Sequence, residues 1–113
     1  MSRDDATLID LARAARLVRE FVHGMEQAAF LADLKTQSAV LHQLLILGEA
    51  AKRLSQEFRD AHTQIPWPLV TGMRDKLIHH YEAVDLAVVW DTIQNDLPKL
   101  ISFVTPLLPP VGK

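Results

Sequence analysis

The chain has no cysteine among its 113 residues, which removes both a disulfide framework and any thiolate metal site. It also lacks a long apolar run. The densest stretch, Leu44-Leu45-Ile46-Leu47, is far too short to cross a bilayer, and Met1-Ser2-Arg3-Asp4-Asp5 lacks the basic-then-apolar layout of a secretion signal. A cytoplasmic location fits these absences. There is no internal repeat, no low-complexity segment and no excess of basic charge. Twelve Lys and Arg face 14 Asp and Glu for a net charge of −2, whereas proteins that rely on bulk phosphate neutralisation carry a clear cationic surplus. The balance is uneven along the chain. It is eight against eight through Arg59 and four against six from Asp60 onward, so whole-chain charge is a weak guide to a small cleft.

What is present is helical periodicity. The four glycines and six prolines all fall where a helical reading wants an end, a close contact or a kink. Asp4 or Asp5 caps a first helix whose Leu8, Leu11, Ala12, Ala15, Val18 and Val22 form one stripe ending near His23-Gly24. Met25 to Ala32 reads as a turn or two. A second helix is expected from about Asp33 to about Ala61, with Gly48 in mid-helix marking a helix crossing, since an uncompensated glycine there costs roughly 1 kcal/mol. Pro68 opens a short third helix through Leu69, Val70, Met73, Leu77 and Ile78. Asp85 caps a fourth through Leu86, Val89, Trp90, Ile93, Leu97, Leu100 and Val104, kinked at Pro98. The expected fold is all-α, an up-and-down bundle of four to five helices in a single domain over residues 1–113. A bundle is a scaffold, so function must come from a site.

The densest reactive cluster is Arg74-Asp75-Lys76-Leu77-Ile78-His79-His80-Tyr81, at and just beyond the third helix. It gathers a permanent cation, a carboxylate, two imidazoles and a phenol. Cleaving RNA without a metal needs a base for the 2′-hydroxyl proton, an acid for the leaving 5′-oxygen and a cation for the phosphoryl oxygens, which are tasks for imidazole and guanidinium. On an ideal helix Arg74 and His79 rise about 7.5 Å apart and lie roughly 140° apart in azimuth, whereas Arg74 and Tyr81 share a face. Either the helix ends or bends at His79, or a two-fold partner completes the cleft; the second route is preferred.

The spacing Arg74-x₄-His79-x-Tyr81 resembles the R-x₄-H-x-Y signature of the HepT-like toxins, a branch of the HEPN superfamily of small helical ribonucleases. Neighbouring segments match too: Gly48-Glu49-Ala50, Lys52-Arg53-Leu54-Ser55, Ile65-Pro66-Trp67, Gly72-Met73-Arg74-Asp75, Val84-Asp85, Val89-Trp90 and Asp96-Leu97-Pro98. With one tyrosine and five histidines in the chain, a chance match to the signature is rare. The resemblance implies a homodimeric, metal-independent RNase toxin that needs no cofactor, acts on cellular tRNA or mRNA, and places Arg74 and His79 of both protomers in one cleft. It also implies a minimal nucleotidyltransferase antitoxin as partner, which silences the toxin by moving AMP from ATP onto Tyr81.

Blander readings stand beside these. His79 also suits a helix C-terminus, His80 a turn, and Asp75 an i,i+4 partner that holds His79 in one tautomer. No paired Glu-x-x-His segments suggest a di-metal site. Glu49 and His42, seven apart, fit a solvated or interhelical polar pair. Arg13, Arg16, Lys52, Arg53 and Arg59, with Lys76 by the motif, form a weak candidate stripe for RNA phosphates, or simply polar helix faces. Trp67 and Trp90 read as core or interface anchors before base-stacking platforms. The competing function is a non-catalytic helical dimer that binds nucleotide or RNA and docks the nucleotidyltransferase.

Overall fold

The computed structural model describes the backbone of residues 2–79 and 84–110, with the side chains of residues 73 and 76–79 outside the description. Every element it contains among those residues is helical: α1 (Arg3–Phe21), α2 (Gln27–Ala32), α3 (Leu34–Arg53), α4 (Gln56–Ala61), α5 (Trp67–His79), α6 (Leu86–Asp91) and α7 (Leu97–Val104). A π-helical turn, Thr92–Asp96, joins α6 to α7, and a 3₁₀ turn, Thr105–Leu107, follows. The all-α bundle expected from periodicity is the fold observed. None of these helices is long and apolar enough to cross a membrane.

α3 is the spine. One side of it packs along α1 and another against α5, while α7 covers a further face of α1 and α2 meets α6. Leu8, Leu11, Val18, Val40, Leu44 and Leu47 are nearly inaccessible in the seam between α1 and α3, each contributing about 1.5–3 kcal/mol of apolar burial. Ala12, Ala14, Ala15, Ala50 and Ala51, also buried, keep the two backbones close. Phe30 is fully buried at the end of α2 and stacks at 5.3 Å on Trp90 of α6, while the amide of Gln37 donates to its carbonyl at 2.9 Å. Trp67 is a core anchor. Its indole N–H donates to the carbonyls of His62 and Arg59, and Phe58 packs at its edge.

Two boundaries differ from those expected. The cap of α1 is Ser2 rather than Asp4 or Asp5: its hydroxyl accepts from the Asp5 N–H at 3.0 Å while the Asp5 carboxylate accepts from the Ser2 N–H, a capping box. Asp4 is thereby free to reach across the fold, and it causes the second correction. The helix expected from Asp33 to Ala61 breaks after Arg53, because Asp4 accepts from both the N–H and the hydroxyl of Ser55 at 2.9 and 2.6 Å. Ser55 then caps α4 by accepting from the Phe58 N–H. Serine favours that role over a helix interior. Asp85 caps α6 as expected, and Asp33, where the second helix is expected to begin, caps α3.

The Ser55 hydroxyl, and next its backbone N–H, hold the Asp4 carboxyl below its ordinary value of 3.8. A carboxyl depressed in the folded state contributes stability above its unfolded pKa, and that contribution is lost as pH falls through the folded one. Acidification from about pH 5 to about pH 2 is therefore expected to lower the urea midpoint more in the native chain than in Asp4→Asn. Equal losses in the two proteins would remove Asp4 from the acid response.

The expected kink at Pro98 takes the form of the π turn. Leu97 N–H donates five residues back to Thr92, and in that register the carbonyl of Ile93 falls to Pro98, which has no N–H. Arg19 of α1 supplies the missing donor, its guanidinium lying 3.3 Å from the Ile93 oxygen.

Candidate active site

The site is built where α5 crosses α3. At Gly48 an added Cβ would collide with the Cβ of Arg74 and sit 3.1 Å from its Cα, so only glycine lets the α5 backbone approach this closely. The helix crossing read from an isolated mid-helix glycine thus coincides with the motif arginine. One turn further along the same face of α3, Lys52 reaches the next residue of α5, its ammonium 2.7 Å from Asp75 Oδ1. The Arg74 guanidinium meets the same oxygen at 3.2 Å. Two cations thus share one carboxylate oxygen, leaving the cluster with a surplus positive charge.

Burial grades the three. The Arg74 side chain is 29% exposed, and its Nε is buried without an acceptor among the described residues; Asp75 and Lys52 are more open at 47% and 40%. The hydrogen bond from Lys52 pulls the Asp75 carboxyl below its ordinary range. Partial desolvation opposes that pull, and the Arg74 hydrogen bond adds to it. Asp75 is therefore an anion at neutral pH. It holds one terminal nitrogen of the guanidinium; with Nε buried, the other terminal nitrogen is the donor left to meet a phosphate, an acceptor that arginine geometry suits.

The remaining motif residues fall outside this geometry. The side chains of Lys76 and His79, and His80 and Tyr81 altogether, lie outside the described residues, as do the side chains of the expected core positions Met73, Leu77 and Ile78. The basic residues considered for RNA contact meet different partners. Arg53 faces Asp10 at 4.0 Å across an exposed gap, a pair of small energetic weight, and Lys52 is committed to Asp75. Arg59 lies within α4, with one terminal nitrogen 3.4 Å from Gln56. Arg13 is exposed, whereas Arg16 reaches Thr105 at 3.3 Å and joins Arg19, Glu20 and His23 along an open groove of about 510 Å³ closed by Pro98 and Ile101. His42 is exposed and Glu49 half-buried, with no hydrogen bond between them. No group of three or more His, Asp or Glu gathers in metal-binding range among the described residues.

Sequence reasoning missed the pairing of Lys52 with Asp75. The signal was available in part: Lys52 lies four residues after the glycine that marks the crossing, hence on the same seam as Arg74.

Comparison with known proteins shows the family of this chain. The family described as ribonuclease HepT-like matches residues 11–107. A "Probable ribonuclease HepT" of Thermococcus cleftensis is 45% identical over 93 residues, covering 82% of this chain and 84% of that protein. "Putative RNase MJ0127" of Methanocaldococcus jannaschii is 35% identical over 103 residues, 91% of this chain and 85% of the relative. "Putative RNase TTE0752" of Caldanaerobacter subterraneus is 40% identical over 89 residues, 79% and 80% of the two chains. No solved structure matches. The chain belongs to the HepT-like ribonuclease family.

Proposed function

We propose that this chain, acting as one domain over residues 1–113, is the toxin of a toxin-antitoxin pair, a metal-independent endoribonuclease of cellular RNA. The observation that carries the reading is the arginine of the R-x₄-H-x-Y sequence, seated on Gly48 with its side chain partly exposed and held through one terminal nitrogen by Asp75. Arg74 neutralises the charge that builds on the phosphoryl oxygens. His79 takes the 2′-hydroxyl proton, and the second imidazole of a two-fold cleft returns a proton to the 5′-oxygen. The P–O5′ bond breaks as the P–O2′ bond forms, leaving a 2′,3′-cyclic phosphate and a 5′-hydroxyl. Asp75 orients, His80 stands as a supporting neighbour, and Arg13, Arg16 and Lys76 are weaker RNA contacts. The partner is a minimal nucleotidyltransferase that adds AMP to Tyr81, placing negative charge and bulk where the RNA phosphate would sit.

Purified protein is expected to cleave RNA in EDTA and to fail on a substrate carrying 2′-deoxy at the scissile nucleotide. Cleavage that needs a divalent ion, or that tolerates the deoxy substitution, would overturn the mechanism. His79→Ala is expected to lose cleavage and growth toxicity with folding and partner binding intact, and Tyr81→Phe to lose AMP acceptance. An inactive native chain that still accepts AMP would instead be the non-catalytic docking dimer.

A further inference from the structure

We infer that Lys52 is a positioning residue for RNA cleavage: by drawing the Asp75 carboxylate toward α3 it keeps that carboxylate from closing over the Arg74 guanidinium. The inference rests on the proposed role of Arg74. An adjacent carboxylate is the natural competitor of a phosphate for an arginine fork, because both offer two oxygens to parallel N–H donors. A side-by-side Arg and Asp left to themselves satisfy each other, and the guanidinium then meets substrate already occupied.

The geometry shows that competition resolved in favour of the lysine. Lys52 holds Asp75 Oδ1 at 2.7 Å, the shorter contact, while a single terminal nitrogen of Arg74 reaches the same oxygen at 3.2 Å. Arg74 is thus tethered through one nitrogen rather than forked onto the carboxylate. Its backbone cannot slide away to compensate, because it is pressed against Gly48. Lys52 leaves from the next turn of the same helix, so the surface that seats the arginine also carries the cation that disengages its carboxylate. The lysine suits the task as a compact ammonium on a flexible stem, able to meet one oxygen end-on without contributing a second fork.

The test is a double-mutant cycle on the full chain with an RNA oligonucleotide as substrate. Lys52→Ala is expected to lower kcat by about tenfold with a smaller effect on KM, the size of one charge-assisted hydrogen bond diverted from the transition state. Lys52→Ala/Asp75→Asn is expected to regain most of that loss, since the asparagine amide oxygen still accepts the one orienting bond from Arg74 while the charge that captures the guanidinium is gone. Lys52→Arg is expected to stay within about threefold of the native chain, because it keeps the countercharge. Thermal melts check that each variant folds. A double variant as slow as Lys52→Ala, or a Lys52→Ala protein within about twofold of native, overturns the inference. If the native chain cleaves no RNA, the functional reading fails while the positional one is still decided by NMR of guanidinium rotation in Arg74. Slower rotation in Lys52→Ala than in the native chain supports capture by Asp75, and unchanged rotation overturns it.

Discussion

Arg74→Ala is expected to lower RNA cleavage by on the order of 10²–10³-fold, the loss typical when one preorganised donor to a developing oxyanion is removed. The expectation has two parts, and the second makes it informative. Arg74 is partly exposed, its partner Asp75 keeps the Lys52 ammonium when the guanidinium is gone, and its contact with Gly48 is made by Cβ and backbone, which alanine retains. The variant should therefore fold, with its circular dichroism and melting behaviour close to those of the native chain, while losing activity. Lys is not an equivalent replacement, since a point charge cannot span two phosphoryl oxygens as the planar fork does. Arg74→Lys should recover only a small part of the loss. Single-turnover rates on a defined oligonucleotide check both variants. Native-like cleavage by a folded Arg74→Ala protein would remove Arg74 from the chemistry.

Gly48→Leu is expected to destabilise the fold by about 3 kcal/mol, at the upper end of what overpacking a tight seam costs, and to abolish cleavage as well. The obstructing atoms belong to the Cβ and backbone of Arg74, not to the end of a flexible side chain, so α5 as a whole must move away from α3. Gly48→Ala poses the same problem in smaller form. The collision costs roughly 1–3 kcal/mol, partly offset by the roughly 1 kcal/mol that alanine gains over glycine in a helix. Urea unfolding should rank the proteins as native, Ala and Leu in falling stability. Cleavage should fall faster than stability along that series, because the helix being displaced carries Arg74, the arginine proposed for the chemistry. An alanine variant more stable than the native chain and fully active would mean that the crossing has room to spare.

The helices and their ends were largely legible because the forces that place them act within a turn or two. The stripe of Leu8, Leu11, Ala15 and Val18, the cap at Asp85, and the disturbance at Pro98 all arise from residues two to five apart. The misreadings share a different cause. Asp4 looked like a cap but bonds to Ser55, 51 residues on, and that contact, absent from any local pattern, ends α3 early. Arg19, which no local pattern singles out, satisfies the carbonyl that Pro98 leaves without a donor, 74 residues away.

The candidate site divides along the same line. The residue types and their spacing, Arg74 to His79 to Tyr81, are written in the chain and carried the likeness to the HepT-like family, because chemistry resides in side-chain identity. That Gly48 marks a crossing was also readable, since a mid-helix glycine needs a compensating contact. Which helix crosses there, and that Lys52 four residues on takes the carboxylate beside the motif arginine, depended on α3 and α5 packing at one angle and register. That packing is settled by the summed burial of side chains across the whole seam, a collective quantity that no single segment encodes, and it turns a lysine of apparently free charge into the partner of Asp75.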